Sequence, residues 1–286
     1  MRTFCPDLTG SFSTSAAQNP TVAIMEAAFA DADLDYRYVN CEVPPENLTD
    51  AVRGAVAMGW RGFNCSIPHK VAVIEHLDGL AESAAIIGAV NTVVIDRSNG
   101  TPRLTGENTD GQGFVASLRP VRDPQGQHVV ILGAGGAARA IAVEVALAGA
   151  LSITIVNRTP DKGQAVADLI DSRTAAAGRY LPWTPSLHVP HGTGILINAT
   201  NIGFHPYEDQ MPDVDMESVD PGTVVADVVV NPPHTVFLQA AANRGCTTLD
   251  GLGMLVNQAL INARLWTGRD LSGAVMRREL ERIFGL

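Results

Sequence analysis

The chain has 286 residues, enough for about two domains, each with its own core. Hydrophobic residues are 46% and charged residues 17%, which excludes a disordered chain, and no apolar run approaches the ~20 residues needed to span a bilayer. A formal net charge of −10 argues against nucleic acid and against an anionic membrane surface as partners, so local groups must hold any anionic ligand. The cysteines Cys5, Cys41, Cys65 and Cys246 lie far apart with no C-x-x-C pair, so neither a disulfide framework nor a metal site is expected. The opening MRTFCPDLTGSFS has no basic segment followed by an apolar one, so no secretory leader is expected and a cytoplasmic location is.

Residues 1–108 alternate helix-like and strand-like segments. Asn19-Pro20-Thr21 precedes VAIMEAAFA as a helix start with Thr21 as its cap, and Tyr36 to Val43 reads as a strand ended by Pro44-Pro45. Glu46 to Met58 reads as a helix, Gly62 to Cys65 as a short strand, Val71 to Leu77 as a helix after Pro68, and Asn91 to Ile95 as a strand. The alternation implies an α/β unit with parallel strands. Beyond Asn108 a strand at Val129, a helix over Ala137 to Ala148, a strand at Ser152 to Val156, a helix over Asp161 to Ile170, and strands at Gly194 to Ile197 and Val224 to Val230 follow one another. That order describes a Rossmann-type doubly wound parallel sheet. Tyr180 to Thr193, bearing Pro and His, reads as a surface connection. Two helices, Leu252 to Trp266 and Gly273 to Ile283, close the chain and are expected to fold back on the first domain. The expected division is a substrate-binding and catalytic domain over 1–108, a dinucleotide domain over 109–249, and C-terminal helices over 250–286.

The stretch His128 to Ala138, HVVILGAGGAA, places a glycine turn between an apolar strand and a helix. Gly133 permits the tight turn, Gly135 lets backbone approach a pyrophosphate, and small Ala138 lets helix and strand pack, while free helix N–H groups meet the negative charge. Gly133, Ala134, Gly135, Gly136 and Ala137 are therefore candidate cofactor contacts. In NAD-specific sheets a carboxylate at the end of the next strand accepts from the ribose 2′-OH. Here that strand ends in Asn157-Arg158-Thr159 with Lys162 one turn on, so NADP is favoured over NAD. The same residues also suit a helix cap, and the two roles are compatible.

Three polar clusters fall in expected loops: Asn64-Cys65-Ser66-Ile67-Pro68-His69-Lys70, Ala89-Val90-Asn91-Thr92 and Asn108-Thr109-Asp110-Gly111-Gln112-Gly113. With the glycine turn, Asn157-Arg158-Thr159, Asn198-Ala199-Thr200-Asn201-Ile202-Gly203 and Gly251-Leu252-Gly253-Met254-Leu255-Val256-Asn257-Gln258-Ala259, they run in one order along nearly the whole chain. In these motifs the chain resembles the shikimate/quinate 5-dehydrogenase family. The resemblance implies hydride transfer between a ring alcohol carbon and NADP, interconverting 3-dehydroshikimate and shikimate or a related cyclic polyol. It carries a place in the chorismate route to aromatic amino acids. Lys70 and Asp110 stand at the family's catalytic positions. They suit the task, because alcohol oxidation sheds a proton as hydride leaves and ketone reduction gains one. A structural ion pair closing two loops is the plain alternative. Asn64, Ser66, Asn91 and Gln258 match positions that bind the substrate hydroxyls, with Ser66 in place of Thr. Thr200, Val228, Gly251 and Met254 match cofactor positions, and His69 reads as a solvent-facing neighbour of Lys70.

The family holds the substrate carboxylate with two serines of an opening G-x-P-x-x-H-S-x-S-P motif and a later Tyr. Counting back from Ala27-Ala28-Phe29 puts Asn19 and Thr21 at the serine positions, and Val230 stands for the Tyr. A longer loop delivering Ser11 and Ser13 is the other alignment. Oxidoreductase chemistry is thus better founded than any one substrate. Quinate or aminoshikimate-type paralogues, another two-domain NADP oxidoreductase, and a non-catalytic NADP or metabolite sensor are the alternatives. A monomer or homodimer is expected, and direction and strictness for NADP stay open.

Overall fold

Short β-branched runs separated by amphipathic segments build two six-stranded sheets and one two-stranded sheet in the computed structural model, which describes residues 4–286. The first stretch runs β1 (Asp7–Ser13), α1 (Thr21–Asp31), β2 (Tyr36–Glu42), α2 (Leu48–Ala57), β3 (Gly62–Cys65), α3 (His69–Ala72), β4 (Gly79–Leu80), α4 (Glu82–Ile87), β5 (Thr92–Asp96) and β6 (Arg103–Glu107). The second runs α5 (Thr109–Leu118), β7 (His128–Leu132), α6 (Gly136–Leu147), β8 (Ser152–Asn157), α7 (Pro160–Arg173), β9 (Ala177–Pro182), β10 (Leu187–His188), β11 (Ile195–Asn198), β12 (Val214–Asp215), β13 (Val224–Asp227), α8 (Val236–Asn243) and β14 (Thr247–Leu249). Helices α9 (Gly251–Thr267) and α10 (Gly273–Phe284) end the chain. No helix among the described residues is long and apolar enough to cross a membrane.

The chain divides into two compact units, one of residues 1–109 with 258–286 and one of residues 110–257. The second crossing falls inside α9 rather than before it, so that helix contributes Gly251 and Met254 to one unit and Gln258 onward to the other.

In the first unit the strand order is β2-β1-β3-β5-β6-β4. The expectation of an all-parallel sheet fails here: β1 pairs parallel with β2 and β3, but β5 pairs antiparallel with both β3 and β6. The short turn through Gly100, at φ +82°, accounts for the β5–β6 pair, since a parallel return needs a crossover of a dozen or more residues. Phe12 stacks on Phe63 at 4.4 Å between ring centroids, and with Trp60, Leu48 and Val93 they form the core under this sheet. Val71 to Leu77 is one α-helical turn passing into a 3-10 turn. Thr21 is the first helical residue of α1 and not its cap; instead Asn19 Oδ1 accepts the Thr21 N–H at 3.0 Å. Asparagine suits this turn because its short side chain reaches the backbone two residues on. Thr109 to Gly113, expected in a loop, opens helix α5.

The second unit holds the order β14-β13-β11-β7-β8-β9, every pair parallel. Tyr180 to Pro182 is part of edge strand β9, and not surface connection, with Asn157 opposite Pro182. An edge strand tolerates that proline because one side of it needs no donor. Val130, Leu132, Val156, Leu196, Val225 and Phe237 pack one face of this sheet.

Gly62 decides how α9 meets the first sheet. A Cβ there would overlap the Val93 carbonyl oxygen and the Trp266 indole nitrogen, the two groups joined by a 3.0 Å hydrogen bond. Gly62→Ala should therefore cost about 1–3 kcal/mol, read by urea unfolding, and an unchanged midpoint would contradict this account.

Candidate active site

In the first unit the loop after β1 is tied down by amides. Asn40 Nδ2 donates to the Ala16 and Asn19 carbonyls at 2.9 and 3.0 Å, and its Oδ1 accepts from Ser11 Oγ at 2.9 Å. Asn19 Nδ2 donates to Ser11 Oγ at 3.2 Å. Ser11 is fully buried inside β1 and its hydroxyl proton is spent on Asn40. Ser13, Ser15, Gln18, Asn19, Ser66 and Ile67 line a hollow of about 320 Å³ with no charged side chain. Thr21 is buried and lies outside that lining.

Asn64, on β3, spends most of its amide inside the protein. Its Nδ2 donates to the Asn91 carbonyl at 3.0 Å and to Thr92 Oγ1 at 2.9 Å, and its Oδ1 accepts from Tyr38 at 2.7 Å. Burial holds the Tyr38 hydroxyl far above its ordinary pKa, so it stays a donor. Asn91 Oδ1 accepts the Thr109 N–H at 2.7 Å, and its Nδ2 donates to Thr109 Oγ1 at 3.0 Å. Lys70 is half-buried on α3, whose position is pinned by the Val90 N–H donating to the Lys70 carbonyl at 2.7 Å. Burial pushes the neighbouring Cys65 thiol up to about 12, an effect the Lys70 charge partly offsets. His69 is not solvent-facing: it is 1% exposed, with Nε2 2.7 Å from the Val43 carbonyl. The short α3 turn sends its ring inward, where a backbone acceptor satisfies it. Gln258 is buried on α9 beside Asn262 one turn on, a pairing readable in the sequence as two amides four residues apart.

The second unit carries the glycine turn. Gly133 has φ +106°, and a Cβ there would press to 3.0 Å on the Ala199 carbonyl oxygen, so only glycine fits without strain. At Gly135 and Gly136 a Cβ would meet nothing within 4 Å, and no side chain caps α6. Ala134 and Ala137 flank this open helix N-terminus, and Ala138 is fully buried. Asn157 Nδ2 donates to the Thr159 carbonyl at 2.9 Å, shaping the turn that leaves Arg158, Thr159 and Lys162 exposed. Arg158 borders a cleft of about 690 Å³ with Trp183, Asn201, Ile202 and Tyr207. An open helix N-terminus, a cation and the lack of a carboxylate at the end of β8 fit NADP, with Arg158 toward a 2′-phosphate. Gly251 lies so close to the Val228 carbonyl that a side chain could not enter, and Met254 follows one turn along α9. Asp110 opens the second unit within α5, and half-buried Val230 offers no side-chain donor.

Asp227, which pattern reading passes over because it ends an apolar strand, ties these loops together. Its Oδ1 accepts from Asn198 Nδ2 and the Val229 N–H, both at 3.0 Å, and its Oδ2 from Thr235 Oγ1 at 2.7 Å. Asn198 Oδ1 in turn accepts the Thr200 N–H at 3.2 Å and hydroxyl at 2.7 Å. Burial raises the Asp227 carboxyl from 3.8 to about 6, against the opposing pull of these three donors.

Residues 15–93 match the family model for the shikimate dehydrogenase substrate binding domain, 117–184 that for shikimate / quinate 5-dehydrogenase, and 251–281 that for the shikimate 5′-dehydrogenase C-terminal domain. The chain is 41% identical over 259 residues to the shikimate dehydrogenase (NADP(+)) of Methanopyrus kandleri, across 89% of this chain and 88% of that one. Among solved structures it is similar to the ligand-free 5-ketofructose reductase of Gluconobacter sp. strain CHM43, with 57% identity, a TM-score of 0.95, and coverage of 99% of this chain and 100% of that chain. It is also similar to the shikimate 5-dehydrogenase of Thermus thermophilus in complex with NADP(H) and shikimate, at 30% identity and a TM-score of 0.84, covering 96% and 99% of the two chains.

The Asp227 carboxyl binds its proton more tightly in the folded than in the unfolded chain, from 3.8 up to about 6. Its contribution to stability is thus full below the ordinary carboxylate value and is lost as pH rises through about 6, a swing on the order of 3 kcal/mol. Asp227→Asn should leave the chain at least as stable as wild type at about pH 8 and flatten the dependence of Tm on pH between about 4 and 7. A slope unchanged by the substitution would show that Asp227 does not titrate in that window.

Proposed function

This chain belongs to the shikimate dehydrogenase family and is an NADP-dependent oxidoreductase of that type, and from this premise we propose that its substrate is a neutral polyhydroxy ketone rather than a carboxylic acid. One observation carries the reading. The positions that should grip a carboxylate hold Asn19, whose oxygen takes the Thr21 N–H and one of whose two N–H groups goes to Ser11, buried Thr21, and Val230, so no charge and at most one amide N–H stands where the family has two hydroxyls and a phenol. The adjoining hollow contains no cation. Each charge-assisted hydrogen bond to a carboxylate that is missing costs about 1.5–3 kcal/mol, or about tenfold to a hundredfold in preference between substrates. A neutral substrate has no such bond to lose. 5-Ketofructose, the compound named for the 57% identical reductase, is a polyhydroxy diketone without a carboxylate and is the leading candidate.

Bound NADPH supplies the hydride. Lys70, with Asp110 assisting, gives the proton that the new alkoxide oxygen requires. Asn91, Ser66 and Gln258 meet the hydroxyls, with Asn64 holding Asn91 and Thr92 in place. Gly133, Gly135 and the α6 N-terminus take the pyrophosphate, and Arg158 with Lys162 and Thr159 the 2′-phosphate. A cytoplasmic location accompanies this reading. Shikimate is the second reading, favoured by relatives named as NADP-dependent shikimate dehydrogenases, and it would place the chain on the route to aromatic amino acids.

The test is a panel of 5-ketofructose, 3-dehydroshikimate, shikimate, quinate and aminoshikimate with each nicotinamide cofactor, followed by NADPH absorbance. The proposal expects kcat/KM for 5-ketofructose to exceed that for 3-dehydroshikimate by at least about tenfold. The opposite ranking overturns it. Lys70→Ala should lower kcat by about two or more orders of magnitude with cofactor KM little changed, whereas a near-normal rate would leave Lys70 a structural residue.

A further inference from the structure

Gln258 is assigned above to the substrate, but an amide carries an acceptor at one end and donors at the other, and its use depends on which end is presented. Polarity at this site is propagated from the backbone. The Thr109 N–H at 2.7 Å requires an oxygen at Asn91 Oδ1, so Asn91 Nδ2 is the group that donates to Thr109 Oγ1. The Asn91 carbonyl at 3.0 Å requires a nitrogen at Asn64 Nδ2, which therefore also donates to Thr92 Oγ1. Both threonine hydroxyls thus already accept from an amide whose orientation a backbone group sets. Each has one proton left, and each lies 2.8 Å from Asn262 Oδ1. Turning Asn262 over would give up both 2.8 Å bonds and leave the two protons only the longer contacts, to Asn91 Oδ1 at 3.1 and 3.2 Å, where the Thr109 N–H already binds, and between the threonine oxygens at 3.1 Å. The shorter pair is the better one, so Asn262 Oδ1 faces the threonines and its Nδ2 faces Gln258 Oε1 at 3.0 Å.

We infer that fully buried Asn262 is a positioning residue for the substrate site: by occupying the Gln258 oxygen it leaves the Gln258 N–H pair as the group that meets the substrate. Gln258 Nε2 has no hydrogen-bond partner among the described residues. The atom it recognises is consequently an acceptor, a carbonyl or hydroxyl oxygen, and Gln258 does not serve a group that must donate. This rests on the reading of Gln258 as a substrate contact, but not on which ketone is used. Asn262 touches neither substrate nor cofactor and acts only through Gln258.

The test is a double-mutant cycle of Asn262→Asp and Gln258→Leu, assayed with the best substrate of the panel and with NADPH. The aspartate keeps both threonine contacts but cannot donate to Gln258 Oε1, so the Gln258 amide turns over and offers an oxygen. We expect N262D to raise substrate KM at least about tenfold, with NADPH KM within about twofold, and to have no further effect on KM in the Q258L background. Gln258→Glu, which presents an oxygen whatever Asn262 does, should reproduce the KM of N262D. An N262D effect that persists in Q258L would make Asn262 merely structural and overturn the inference. A Q258L chain with wild-type substrate KM would instead overturn the Gln258 contact itself, and the assignment with it. Asn262→Ala, which removes the donor without burying a charge, goes through the same cycle if N262D does not fold.

Discussion

A backbone N–H buried without a partner is costly, and in the first unit the Thr109 N–H finds its partner in a side chain, Asn91 Oδ1, at 2.7 Å. Much else follows from that bond. It joins the entry to β5 with the start of α5 and fixes which way the Asn91 amide points. Through Thr109, Thr92 and Asn262 the same polarity reaches α9 and the C-terminal helical segment of that unit. A network of this kind works only if every member is satisfied, because low local dielectric makes each unpaired group expensive. The site amides therefore arrive already oriented.

The amides behind the loop after β1 do a different kind of work. Asn40, Ser11 and Asn19 bond to one another, so this wall of the first unit is neutral and largely paired internally. No charge has been inserted to repel a carboxylate. On the proposed function, discrimination comes from donors already in use, and hydrogen-bonding sites discriminate well when a mismatch leaves polar groups unpaired.

In the second unit the constraint is close backbone approach. Gly133 and Gly251 each lie where a side chain would strike a carbonyl of a neighbouring segment, and Gly135 opens the first turn of α6. Asp227 gathers Asn198, Val229 and Thr235 around one carboxylate that burial disfavours. Loop placement there is bought with stability, a usual pattern near ligand sites.

Periodicity and motif were enough to foresee the doubly wound sheet, the glycine turn, a preference for NADP and the family, because these depend on local patterns: apolar runs, glycine spacing and the residue at a strand end. The antiparallel β5 and β6, edge strand β9 and the inward His69 depended on what the rest of the chain offered as partners, and no local pattern records that. The candidate site divides the same way. The sequence by itself determined which residues are candidates for the chemistry, Lys70, Asp110, Asn91 and Gln258 among them, since residue type at a motif position is local information. Only the tertiary structure decided which hydrogen-bonding atoms of those residues are still available, because an amide's donor and acceptor ends are allotted by partners as distant in sequence as Thr92 is from Asn262.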